Sequence, residues 1–89
     1  MEVVFLKNFL SDLKKIKDQK LKQRIKDLII NLENAETLKD IPSISKMKGY
    51  SIAFRVRIGD YRLGLYCKNE VVELARFVKR NDIYKVFPD

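Results

Sequence analysis

Residues 54–63 read Phe54-Arg55-Val56-Arg57-Ile58-Gly59-Asp60-Tyr61-Arg62-Leu63. Apolar residues alternate with polar or basic ones on both sides of Gly59-Asp60, the period-two pattern of a half-buried β-hairpin. Glycine accepts the positive φ that a two-residue turn demands. A tight turn sets Ile58 opposite Tyr61, Arg57 opposite Arg62, Val56 opposite Leu63 and Arg55 opposite Gly64. Facing residues share a face of the sheet, and like charges directly opposed repel. Arg55, Arg57 and Arg62 thus fall on one face, which points to an anion as their ligand. The bland alternative is a solvated face whose charges discourage edge-to-edge aggregation.

The pattern extends outward from the hairpin. A strand from Tyr50 to Ile58 turns Ile52, Phe54, Val56 and Ile58 inward, with Ser51, Ala53, Arg55 and Arg57 outward. A strand from Tyr61 to Lys68 turns Tyr61, Leu63, Leu65 and Cys67 inward, with Arg62, Gly64, Tyr66 and Lys68 outward. Asn69-Glu70 supplies the next turn. The last strand, Val71 to Val78, has Val72 and Leu74 inward; Arg76 shares their parity and is expected near a sheet edge. Phe77 is expected beside Arg62, and Glu73 beside Tyr66, on the outer face.

Toward the N-terminus, Glu2 to Phe5 favours a strand. Leu6, Phe9, Leu10, Leu13 and Ile16 follow helical spacing, with Lys7, Asp12, Lys14, Lys15 and Lys17 mainly on the opposite side. A second stripe, Leu21, Ile25, Leu28, Ile29 and Leu32, marks another helix. Asn34 to Gly49 reads as a basic connector broken at Ile41-Pro42-Ser43, since a residue before proline avoids the α region. The predicted fold is a single α+β domain, residues 1–89: strand, helix, helix, three-strand meander. Its sheet is largely antiparallel, with a helical hairpin on one face. The other face is left open, carrying Arg55, Arg57, Arg62 and Tyr66, with Gly64 as the floor of a shallow depression and Lys48 extending the basic surface.

Composition narrows the chemistry. Lys and Arg number 19 against 12 Asp and Glu, giving +7, a balance suited to a polyanion or an acidic partner. Histidine is absent, which removes every imidazole mechanism. One cysteine, Cys67, allows no internal disulfide and reads as a packed thiol. These counts make a transition-metal site improbable. Gly49, Gly59 and Gly64 are isolated, so no phosphate-cradling glycine loop is present and no small-molecule cofactor is expected. Met1 to Leu10 carries Glu2 and Lys7 and is not a signal-peptide pattern. No apolar run approaches the ~20 residues of a membrane span. The expected compartment is the cytoplasm.

The meander and tail, FRVRIGDYRLGLY followed by LARFVKRNDIYKVFP, resemble the RelE/ParE superfamily of bacterial and archaeal toxins, and the order of elements is similar over essentially the whole chain. The resemblance to the RelE branch implies a toxin of a type II toxin–antitoxin pair that cleaves messenger RNA in the ribosomal A site. It implies an acidic antitoxin, the ribosome and mRNA as partners. Arg55 and Arg57 match two basic positions of the first meander strand, which are lysines in the type member. Arg62 matches the arginine of a Tyr-Arg pair, and Lys79-Arg80 a basic pair after the last strand, where many relatives have histidine at the first position. Tyr84 matches a terminal tyrosine implicated in stacking and catalysis.

The implied reaction is attack of a ribose 2′-OH on the adjacent phosphate. The expected catalytic set is Arg62, Arg80, Tyr84 and Lys79, with Arg55, Arg57, Lys48 and Tyr66 binding RNA. Arginine cannot act as a conventional base near neutrality, and a lysine or phenol does so only if its ordinary pKa of about 10 is brought down. The departures from the family pattern leave the base open. Two readings compete with the nuclease: a ParE-like toxin that poisons DNA gyrase without catalysis, and a module that binds RNA or antitoxin without turnover. Phe87 reads as a packing residue, and Tyr66 as either a stacking platform or a half-exposed sheet aromatic.

Overall fold

In a computed structural model, which describes residues 1–88, the Gly59-Asp60 turn pairs β3 (Ala53–Ile58) with β4 (Tyr61–Lys68) in the predicted register. Gly59 takes φ +58° as the first central residue of the turn. Asn69 and Glu70 both sit at positive φ, the signature of a type I′ turn, and lead into β5 (Val71–Lys79). β1 (Glu2–Phe5) pairs with β5 in parallel, and β2 (Ile44–Lys46) pairs antiparallel with β3. The five-stranded mixed sheet runs β1-β5-β4-β3-β2.

β2 lies inside the segment expected to be a connector. It is three residues long and follows Pro42 and the left-handed Ser43, so no alternation announces it. The strand expected from Tyr50 begins only at Ala53. Met47 to Tyr50 form a turn closed by the Tyr50 N–H donating to the Met47 carbonyl at 3.2 Å, and Ile52, expected inward, is exposed.

α1 (Lys7–Lys14) lies against β5, and α2 (Gln19–Asn34) against β1 and β3. Asp18 caps α2: its carboxylate accepts from the backbone N–H groups of Lys20 and Leu21 at 2.9 and 3.3 Å. The helices bury Phe9, Ile25, Leu28 and Leu32 against Val56, Leu63, Leu65, Val72, Leu74 and Phe77. Asp12 was expected on the solvated side and is instead 5% exposed. Its carboxylate accepts from Arg76 Nε and Nη2 at 2.8 and 3.2 Å and from the Phe77 N–H at 2.8 Å. β1 ends beside Leu74, so this carboxylate satisfies the edge of β5 just beyond it.

The register of β4 and β5 shifts between Gly64 and Leu65, which face Arg76 and Leu74, leaving Ala75 as the extra residue of a bulge. Parity reverses there. Phe77 faces Leu63 in the main core rather than Arg62, and Val78 takes the place opposite Arg62. Arg76 escapes the core by the same shift. Glu73 faces Tyr66 as expected.

The outer face is not open throughout. A third helix, α3 (Ile83–Val86), folds across it and with Phe87 builds a second apolar cluster of Met47, Ala53, Ala75, Ile83 and Phe87. Helices therefore cover both faces, because the tail carries its own apolar anchors.

Candidate functional site: an arginine-lined face

Arg55, Arg57 and Arg62 stand on the part of the outer face that α3 leaves uncovered. Together with Ser43, Ile44 and Ser45 they line a shallow cavity of about 320 Å³. β2 forms its wall: Ser45 faces Arg55 across the ladder, and the Ser43 carbonyl accepts from the Arg57 N–H at 3.1 Å. The two serines carried no signal in the sequence, because the strand that holds Ser45 and follows Ser43 was not legible. Among the described residues no carboxylate lines the cavity.

Each arginine is placed differently. Arg62 Nη1 donates to the Gly59 and Tyr61 carbonyls, both at 2.9 Å, which folds the side chain over the turn. Those two carbonyl dipoles offset part of the repulsion from Arg57 opposite. Among the described residues the Arg57 side chain has no hydrogen-bond or ion-pair partner. The Arg55 guanidinium carbon lies 5.5 Å from the centroid of the Tyr84 ring, a cation–π contact, and its Nη1 approaches Met47 Sδ at 3.8 Å.

Tyr84 is 63% exposed on α3. The helix is a single turn and gains its position from packing rather than propensity. Ile83 and Phe87 are buried on the sheet, and Phe87 lies over Gly64 so closely that a Cβ there would sit 2.6 Å from its ring. The expected glycine-floored depression is thus filled by Phe87. Tyr66 is half-buried with its ring centroid 5.0 Å from that of Phe87, so it serves the packing that seats α3.

The Arg80 N–H donates to the Asp60 carbonyl at 2.8 Å, which ties the end of β5 to the hairpin turn that also holds Arg62. Lys79 does not join this group. It faces Tyr61, whose ring stacks on Phe77 at 5.0 Å in the helix-side core, so strand parity puts Lys79 on the helix side of the sheet. Lys48 stands exposed at the Met47–Tyr50 turn, beyond the far end of β3. Arg24, on the polar face of α2, was not among the expected site residues; its Nη1 lies 3.3 Å from where a Cβ on Gly59 would be. Cys67 packs against the main core, and burial raises its thiol pKa.

The arrangement sets planar cations over a polar cavity bordered by an exposed aromatic ring, a chemistry suited to phosphate.

A scan against protein-family models finds no match. Among curated proteins, Toxin RelE3 of Methanocaldococcus jannaschii is 36% identical over 89 residues, covering 99% of this chain and all of the relative. Among solved structures, the RelB-RelE antitoxin-toxin complex from Methanococcus jannaschii superposes with a TM-score of 0.81 at 33% identity, over 96% of this chain and 99% of the other. The archaeal RelE-RelB complex from Pyrococcus horikoshii gives a TM-score of 0.71 over 89% and 93% of the two chains; at 20% identity that likeness is one of fold.

Proposed function

The chain belongs to the RelE family of toxins, and from that premise we propose that its arginine-lined face is the endoribonuclease site of a type II toxin, acting on mRNA held in the ribosome. The observation that carries this reading is the seating of Tyr84 over Arg55 at the border of the Arg57–Arg62 cavity. One face then offers a ring for a base and guanidinium groups for the neighbouring phosphates. The gyrase-poisoning alternative finds no support among relatives that carry RelE names.

In the reaction the ribose 2′-oxygen forms a bond to the adjacent phosphorus while the bond to the 5′-oxygen breaks. The 2′-OH gives up its proton and the leaving oxygen acquires one. The products are a 2′,3′-cyclic phosphate and a 5′-OH. Negative charge grows on the phosphorane, so cations aimed at it stabilise the transition state more than the ground state. Arg62, its guanidinium held at the Gly59-Asp60 turn, and Arg80, its backbone tied to the same turn, take that role, and Arg55 and Arg57 grip flanking phosphates. Tyr84 stacks on a base. Lys79, on the helix side by parity, is removed from the reacting phosphate. The ribosome contributes orientation of the RNA, which for intramolecular attack is a large part of the barrier.

The partner that silences the toxin is an antitoxin. An acidic one suits a chain of net charge +7, whose uncovered cationic face would bind RNA indiscriminately.

The test is cleavage of mRNA on programmed ribosomes with product ends identified. Arg62→Ala and Arg80→Ala should each lower turnover by about 10²-fold or more, the scale for removing one aimed donor, with unchanged circular dichroism. Unchanged cleavage in both variants would overturn the assignment.

A further inference from the structure

The turn that follows β2 carries an exposed aromatic and two lysines that the arginine site does not use. Tyr50 is 47% exposed, and Lys46 and Lys48 beside it are exposed. A groove of about 480 Å³ is lined by the six residues from Lys46 to Ser51.

The turn is built to hold its shape. The Met47 N–H donates to the Ala53 carbonyl at 2.8 Å, and the Tyr50 N–H to the Met47 carbonyl at 3.2 Å. Gly49 takes φ +85°, the value that a type II turn needs at its third position. Met47 is buried in the same apolar cluster as Phe87. A tyrosine so placed presents its ring at little cost in ordering, which an affinity-giving contact needs.

It is also continuous with the arginine face. Met47, which anchors the turn, lies against Arg55 through the 3.8 Å contact to Nη1. Ala53, its hydrogen-bond partner, is one period from Arg55 on the same face of β3, about 7 Å by strand rise. An RNA strand gripped at Arg55 has this turn within reach of a few further nucleotides.

We propose that the Lys46–Ser51 turn is a second RNA subsite, where Tyr50 stacks on an unpaired base and Lys48 binds an adjoining phosphate. The proposal rests on the nuclease reading and extends it from the cut bond to neighbouring single-stranded RNA. The exposed Lys48 and the contact to Arg55 favour RNA over a protein segment. Aromatic stacking tolerates any base, so this subsite adds affinity without choosing sequence.

The experiment measures binding of the full-length protein to 2′-O-methyl RNA, which the toxin cannot cut, as a trinucleotide and as a nonanucleotide bearing 2-aminopurine at each position in turn, and to ribosomes with an open A site. The expected result is that the nonanucleotide binds more tightly and that one 2-aminopurine position is quenched. Tyr50→Ala should weaken that RNA about five-fold or more and abolish the quench, leave the trinucleotide unaffected and leave thermal unfolding unchanged. Tyr50→Phe should behave as wild type. Lys48→Ala should flatten the salt dependence of nonanucleotide binding but not of trinucleotide binding.

If the base comes from ribosomal RNA, free-RNA affinities stay equal and Tyr50→Ala weakens ribosome binding alone. Either result supports a stacking subsite. Equal affinities of wild type and Tyr50→Ala on every probe would overturn it and leave the turn to a protein contact. The nuclease assignment is read separately, by loss of cleavage in Arg62→Ala. A trinucleotide that depends on Arg55 beside a nonanucleotide that gains nothing, with ribosome binding indifferent to Tyr50, would sink the subsite alone.

Discussion

Arg55 and Tyr84 meet at 5.5 Å although one belongs to an inner strand and the other to a one-turn helix near the end of the described chain. The contact is oriented: the exposed ring flanks the cation on the face where Arg57 and Arg62 line their cavity. A cation–π pair at an exposed site is worth ~0.5–1 kcal/mol, too little to hold α3 in place by itself. The buried Ile83 and Phe87 hold the helix, and Tyr84 is carried into position by them.

Separating ring from hydroxyl follows from that geometry. Tyr84→Ala should leave unfolding within ~0.5 kcal/mol of wild type, as exposed positions usually do, while lowering ribosome-dependent cleavage by at least ten-fold. Tyr84→Phe keeps the ring over Arg55. Retained cleavage in the phenylalanine variant assigns stacking to Tyr84; loss equal to that of alanine assigns the hydroxyl to proton transfer. Single-turnover cleavage assays read the difference.

Gly64 should tolerate no side chain. A Cβ at 2.6 Å from the Phe87 ring must displace a residue that is itself buried. Gly64→Ala is expected to cost about 1–3 kcal/mol, the range for overpacking, and to lower cleavage by shifting α3. Adding Phe87→Leu should recover part of the stability, because the two sites share one space. Urea unfolding of the single and double variants measures the coupling.

Asp12 is the buried carboxylate on which β5 depends. Asp12→Ala should cost about 3 kcal/mol, since it removes the buried ion pair to Arg76 and leaves the Phe77 N–H without its acceptor. Replacing both partners with apolar residues, Asp12→Leu with Arg76→Met, should recover only part of this. The residue of the loss reports the orphaned Phe77 N–H, on the order of 1–3 kcal/mol. Chemical denaturation of the three proteins gives the comparison.

Cys67 sets a limit at alkaline pH. Burial raises its thiol pKa above the ordinary 9.0, so near that pH the folded chain holds a proton that the unfolded chain releases. Its contribution is present in full below pH 9.0 and declines as the pH rises through the folded value. The stability difference between wild type and Cys67→Ala should therefore be flat at neutral pH and shrink in the alkaline range. Alkylation of the folded protein at pH 7 should be slower than of the urea-unfolded chain.

The hairpin was legible because a two-residue turn leaves one register, and side-chain parity follows from it without further information. The helical stripes were legible for the same kind of reason. Ala75 was not: a bulge adds one residue without changing composition, so Phe77 was expected on the outer face, and Arg76, given the parity of the core, was expected near a sheet edge. Asp12 has the look of a solvent residue until its partners, more than sixty positions away, are known. Ser45 belongs to a strand too short to show alternation, and Ser43 to the turn just before it. Phe87 was recognised as packing, but its seat over Gly64 depends on tertiary geometry. The missed features are long-range, and local pattern carries no record of them.

The parallel pairing of β1 with β5 has a kinetic meaning. Glu2 finds Val71 only by closing a loop that contains both long helices and the other three strands. The hairpins close over short spans, so they should assemble early and β1 should dock late, its entropy cost met only once β5 is already in place. Weakening β1 would then hasten unfolding while leaving the speed of folding nearly untouched, and the strand that docks last would be the first to be shed.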